Sequence, residues 1–239
     1  MIRRMEIDPV LLSGLRGVST ATLTTLLFKR GLRNVHIQGA RPVGAAKAPM
    51  VGPATTLRYI PAREDIDHVG VFADPAHPQR RAVETIPAGH VLVQDCRGDT
   101  RAACGGGILM TRLAVRGAAG MVTDGCVRDW AAIAEMAMPV FCAGPSAPLN
   151  LAVHHAVEID VPIGCGGVPV YPGDIVVGDA DGVVIVPRHL AAELVDEGLE
   201  QERLEAFVQE RIAGGAALPG TYPPDEATRA AYAAWRQQT

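Results

Sequence analysis

Between Pro87 and Phe141, short runs of β-branched residues alternate with segments of helical period, and this alternation constrains the fold more than any other feature of the chain. Pro87-Ala88-Gly89 forms a turn ahead of a strand at Val91–Asp95. Gly105-Gly106-Gly107 opens a helix in which Ile108, Leu109 and Leu113 recur at helical spacing; the helix runs to Arg116, and Gly117 ends it. A strand follows at Gly120–Thr123, then a turn at Asp124-Gly125, a helix starting near Asp129, and a strand from Pro139-Val140-Phe141. Strand–helix–strand order calls for right-handed crossovers and some parallel pairing, so the chain reads as α/β.

The flanks extend this pattern. Residues 8–31 read as helical, with Asp8-Pro9 as a start, Ser19 as the cap of a second segment and Gly31 as a stop. A turn-rich stretch spans residues 39–53, and strands are predicted at 55–59 and 69–73. From 152 to 187 the pattern is strand and turn, with runs at 153–161, 168–171, 175–177 and 183–186. Residues 188–213 form a charged amphipathic helix, with Gly198 as a possible break, and a Pro-rich tail follows. No linker or repeat divides the chain. Residues 1–187 are expected to form the α/β domain, and residues 188–239 a C-terminal helix and arm of the same unit.

Composition narrows the function classes. The chain has 239 residues, 48% of them hydrophobic and only 4% aromatic, a mix suited to branched strands packed on small-residue helices. A net charge of -4 excludes the basic excess that nucleic-acid binding needs. Arg3 and Arg4 are followed by no long apolar run, so neither a signal peptide nor a membrane span is expected, and the location is read as cytoplasmic. Five cysteines, Cys96, Cys104, Cys126, Cys142 and Cys165, include no C-x-x-C pair; they are expected to be buried thiols in a reducing compartment.

Several chemistries fail on their residues. No Gly-Lys-Ser/Thr follows the glycine run, and Ile108-Leu109-Met110 does not complete a dinucleotide fingerprint. The only lysines are Lys29, near a helix end, and Lys47, in a turn-rich loop; neither suits a Schiff base. His154 and His155 are neighbours in a strand and face opposite ways, which disfavours a shared metal ion. No serine sits in a G-x-S-x-G elbow.

The segment Val122-Thr123-Asp124-Gly125-Cys126-Val127-Arg128-Asp129 remains. It puts three charged groups on a turn between a strand and a helix, where α/β folds place ligands. By spacing alone, Asp129 serves equally as a helix cap with Arg128 solvated. Gly107, twenty residues, then Arg128-Asp129 resembles the signature of class II pyruvate aldolases in the RraA-like family. So do Val18–Thr22, the Pro87–Val93 strand entry, the stretch from Val115 to Gly120, and Tyr171-Pro172-Gly173-Asp174 through Asp179-Ala180-Asp181-Gly182-Val183-Val184. The resemblance spans roughly residues 15 to 225. The chain departs from it at Ala132, where the signature carries an acid, at Thr24-Thr25, where an Asp-Ala pair is usual, and at Gly107, often acidic in relatives.

The resemblance implies a three-layer swivelling β/β/α domain assembled as a homotrimer or hexamer, with sites between subunits that glutamates such as Glu197, Glu200 or Glu202 could reach. It implies a lyase for a small 2-oxo acid: retro-aldol cleavage of a 4-hydroxy-2-oxo acid, or decarboxylation of oxaloacetate, through a pyruvate enolate. Asp129 would hold Mg2+ or Mn2+, and Arg128 would pair with the substrate and its developing enolate oxygen. Backbone N–H groups at Gly107, Ile108 and Leu109 would hold the carboxylate, and Asp124 would orient Arg128 or a water, or else simply make the turn. The alternative is a non-catalytic regulator that binds a ribonuclease through protein contacts.

Overall fold

Local capping rules place the first helices. In the structure, a computed structural model that describes residues 7–45 and 48–237, Asp8 accepts from the Val10 N–H at 2.8 Å and opens α1 (Pro9–Leu15). Ser19 accepts from the Thr22 N–H at 3.1 Å and opens α2 (Thr20–Lys29); each cap satisfies a donor that has no partner inside its helix. Arg3, Arg4 and Lys47 lie outside the described residues. The chain continues through β1 (Arg41–Pro42), β2 (Met50–Pro61), α3 (Pro78–Thr85), β3 (Val91–Asp95), β4 (Ala103–Gly105), α4 (Gly107–Val115) and β5 (Gly120–Thr123). Next come β6 (Cys126–Val127), α5 (Trp130–Ala134), β7 (Val140–Cys142), β8 (Gly144–Pro145), β9 (His154–Ile159), β10 (Ile163–Cys165) and β11 (Val168–Val170). β12 (Ile175–Asp179), β13 (Gly182–Val186), α6 (Ala191–Ala213), a kinked α7 (Leu218–Thr221) and α8 (Glu226–Arg236) complete it.

The main sheet runs β1-β7-β5-β3-β2-β12-β13, with β9 also paired to β2. β2, β3, β5 and β7 are parallel neighbours, as the strand–helix alternation requires, whereas β1, β9, β12 and β13 join antiparallel. A second sheet, β4-β6-β8, is wholly parallel.

The strands are buried on both faces, which explains their nearly unbroken apolar composition. Leu92 and Met121 pack with Ala82, Val83, Met110 and Leu113 beneath α3 and α4. Their neighbours Val91, Val93 and Val122 face inward, against Val176, Val183 and Ile185. Val177, Val184 and Val186 turn to the other side and meet Leu23, Leu26, Leu27 and Leu194 of α2 and α6. The chain is α/β, as expected, but in place of three layers the two halves of this one sheet face each other over a shared core, with α3 and α4 outside one half and α2 and α6 outside the other.

Four local expectations change. Residues 69–73 form a 3-10 turn rather than a strand, and none of them is buried. The run lies at the surface, with Val69 68% exposed, and lacks the buried face that the strands of this sheet have. The turn-rich stretch contains β1 and the start of β2, which begins at Met50 because its first residues pair with β12. Residues 188–190 form a 3-10 turn before α6. The tail contains α8, capped by the Asp225 carboxylate on the Thr228 N–H, and it packs Tyr232 and Trp235 on Phe207.

Gly198 does not break α6. A Cβ there would lie 2.6 Å from Val18 Cγ1, so its role is close packing against the turn before α2. Among the described residues no single helix is long and apolar enough to cross a membrane.

Candidate active site

Two stretches far apart in sequence meet because β4 and β6 are parallel neighbours. Gly105 is in register with Val127, so the residues just beyond each strand end, Gly106-Gly107 and Arg128-Asp129, emerge side by side. The carboxyl ends of parallel strands are where α/β sheets leave a crevice for ligands.

Asp129 adopts φ 61°, ψ 38°, a left-handed conformation uncommon for a residue with a side chain. It occupies the cap position of α5, yet its carboxylate makes no capping bond there. Instead Oδ2 accepts from the Gly107 N–H at 2.9 Å, at the start of α4. The Arg128 Nε lies 4.0 Å from the same oxygen, and the Arg128 N–H donates to the Gly105 carbonyl at 3.1 Å. Both side chains remain about half exposed, 47% for Arg128 and 51% for Asp129.

The glycine run is a spatial requirement. A Cβ on Gly106 would sit 2.6 Å from Asp129 Oδ2 and 2.8 Å from Arg128 Cγ. Of the three N–H groups at the start of α4, that of Gly107 is spent on Asp129. Those of Ile108 and Leu109 have no partner within the helix and carry its positive dipole end.

Gly106, Ile108, Leu109, Arg128 and Asp129 line a cavity of about 200 Å³ together with Phe72, Gln79, Arg80 and Asn150. The last four had no sequence motif. The Arg80 guanidinium lies 4.3 Å from the centre of the Phe72 ring. Burial pulls its pKa below the usual value, and the Arg128 charge acts in the same direction. Gln79 is buried and donates to the Cys104 carbonyl at 2.6 Å and to the Tyr59 hydroxyl at 3.2 Å, which fixes the start of α3. Gln79 Oε1 and Asn150 Nδ2 are buried without hydrogen-bond partners.

Asp124 is not brought to this cavity. It is 5% exposed, and its two oxygens accept from the N–H groups of Cys96 at 2.7 Å, Gly98 at 2.8 Å and Gly166 at 3.0 Å. Burial pushes its carboxyl above the usual carboxylate range, and these N–H bonds offset only part of that rise. Its geometry is that of a tie between three loops, with no contact that would orient Arg128.

Glu197, Glu200 and Glu202 are engaged within the chain. Glu197 accepts from Arg30 at 2.9 Å, Glu200 from Tyr232 and Arg236, and Glu202 from the Ser19 N–H at 2.8 Å. His154 is fully buried, while His155 meets Asp67 at 2.7 Å, so the two do not converge. All five cysteines are buried free thiols.

Asp129 suits a hard divalent cation in one respect: it offers a half-exposed carboxylate facing the cavity. Among the described residues no group of three or more His, Cys, Asp or Glu side chains converges. An ion held there would keep most of its shell as water, which fits Mg2+ better than a cation needing a full protein cage.

Residues 20–185 match the family model RraA-like, described as Aldolase/RraA. A protein of Halalkalibacterium halodurans, provisionally named a 4-hydroxy-4-methyl-2-oxoglutarate aldolase, is 35% identical over 139 residues, or 58% of this chain; the match spans 60% of that protein, under two thirds of its length. Streptomyces coelicolor RraAS2, described as an unusual member of the RNase ES inhibitor RraA protein family, superposes with a TM-score of 0.76 at 32% identity, covering 86% of this chain and 98% of that one. The RNA-processing inhibitor RraA from Thermus thermophilis gives a TM-score of 0.53 at 27% identity, covering 71% and 92%.

Proposed function

The chain belongs to the RraA-like family, and from that premise we propose that it is a divalent-metal-dependent lyase acting on a small 2-oxo acid, by decarboxylation of oxaloacetate or retro-aldol cleavage of a 4-hydroxy-2-oxo acid. The observation that carries this reading is the convergence of Arg128, Asp129 and the start of α4 at the ends of β4 and β6.

Asp129 would hold Mg2+ or Mn2+, whose chemistry when bound is Lewis-acid stabilisation of negative charge on the substrate's C2 oxygen. Arg128 pairs with the substrate and sits where charge gathers as the C3–C4 bond breaks. The N–H groups of Ile108 and Leu109 receive the C1 carboxylate at the helix end. In both reactions the C3–C4 electron pair moves toward C2, and the pyruvate enolate that results is protonated at C3. Retro-aldol cleavage also needs a base for the C4 hydroxyl. The lining residues supply no carboxylate other than Asp129 and no histidine. Decarboxylation needs no such base and asks least of them.

The test is pyruvate release from oxaloacetate with Mg2+ or Mn2+ and with EDTA, after subtraction of spontaneous decarboxylation. Release should vanish with chelator and with Asp129→Ala, and Arg128→Ala should lower kcat/KM by about 10²–10³. The likeness to RraAS2 supports a second reading, inhibition of a ribonuclease through protein contacts. Under that reading pyruvate release matches the protein-free control, and inhibition is indifferent to EDTA and to Asp129→Ala.

A further inference from the structure

We propose that Arg80 is the specificity-determining residue of this cleft in its retro-aldol branch, holding the distal carboxylate that stays on the departing carbonyl fragment while the reacting end lies at Arg128 and Asp129; in oxaloacetate that carboxylate is itself the leaving group, and Arg80 has no such role. The inference rests on the 2-oxo acid reading above and adds the residue that selects among such acids.

Arg80 is held before any ligand arrives. It stands on the first turn of α3, next to Gln79, whose bonds to Tyr59 and Cys104 anchor that turn in the core. The Arg80 Cζ lies 4.3 Å from the centre of the Phe72 ring, and a guanidinium resting on an aromatic face can still present its N–H fork to a planar carboxylate. A side chain fixed in this way loses little freedom on binding.

The charge balance of the cavity also calls for a second anion. Two guanidiniums, Arg80 and Arg128, line one cavity of about 200 Å³, against the single carboxylate of Asp129. That carboxylate is committed to the Gly107 N–H and lies beside Arg128. The groups that act on Arg80 are its own burial, the Tyr59 hydroxyl and the like charge of Arg128; no carboxylate of the described residues is among them. Arginine stays protonated under such pressure, so the cavity keeps a cation with no carboxylate partner from the described residues and offers it to a bound anion. Asn150 adds a buried amide donor with no acceptor, in the wall of the same cavity. A monoacid places its one carboxylate at the start of α4 and leaves Arg80 and this donor unmatched, whereas a diacid brings a second carboxylate to them.

The probes are 2-oxoglutarate and 2-oxopentanoate, which share a five-carbon 2-oxo acid skeleton and differ in carrying a carboxylate or a methyl at the far end. Calorimetric titration of the full chain with Mg2+ should show the wild type binding the diacid about 10- to 100-fold more tightly, the worth of a charged hydrogen-bonded contact. In Arg80→Gln the ratio of the two affinities should fall to within about threefold of unity, and Arg80→Lys, which keeps the charge but not the flat fork, should give an intermediate ratio. Equal binding of both acids by the wild type, or a preference that survives in Arg80→Gln, overturns the role of Arg80 alone. Binding of neither acid by the wild type overturns the 2-oxo acid reading itself.

Discussion

At the level of single residues, Asp129 shows how a strained backbone re-aims a side chain. Its left-handed conformation costs on the order of 1 kcal/mol for a residue with a Cβ, although aspartate tolerates it better than most. The return is that the carboxylate leaves its own helix and lies across the start of α4. Gly106 keeps the space that this requires, and its own backbone is extended, so only volume is at stake. Gly106→Ala should therefore displace the Arg128–Asp129 pair and lower kcat/KM for pyruvate release by about 10²-fold, the cost of a misplacement near 1 Å. Its melting temperature should stay close to that of the wild type. Loss of activity in step with loss of folding would sink this account. Asp124, in the same eight-residue motif, stands apart. A charged residue on a turn reads alike whether it faces a ligand or three loop N–H groups, and only the partners from Cys96, Gly98 and Gly166 distinguish the two.

At the level of elements, short-range rules carried far. The caps of α1 and α2, the period of α4 and the strand runs at β3 and β5 all follow from residues within a turn of one another. The 3-10 turn at Val69–Ala73 did not, because an apolar run becomes a strand only where the rest of the fold supplies a partner strand and a buried face. α8 follows a Pro-rich segment that by itself reads as a tail, and its Tyr232 and Trp235 become a helix face only by packing on Phe207. Gly198 in α6 provides a sharp test of packing against propensity. Alanine normally gains about 1 kcal/mol over glycine inside a helix. Here its methyl would press on Val18, and overpacking costs about 1–3 kcal/mol. Gly198→Ala should therefore be destabilising in urea unfolding, and Val18→Ala combined with it should recover stability beyond the sum of the two single changes. Additivity would show that the two side chains do not compete for the same space.

At the level of the whole molecule, α4 has an uncovered apolar side beside the cavity. Ile108 is 84% exposed and Val115 70%, seven residues apart on one helix face. The homotrimer or hexamer implied by the family resemblance would cover such a face. Sedimentation should give three or six times the subunit mass, and Val115→Glu should lower it; a wild type that sediments as a single chain would overturn this expectation.

The sequence by itself determined the α/β class, the order of most elements, the glycine run and the Arg128-Asp129 pair, because capping, periodicity and turn chemistry act between residues within a few positions of each other. The tertiary structure alone decided that these two stretches face one another, that Gly107 spends its N–H on Asp129, that Asp124 ties loops together, and that Arg80, Phe72 and Asn150 share their cavity. Those outcomes depend on the register of β4 with β6 and on the packing of α3 against the sheet, long-range matches that no local window contains.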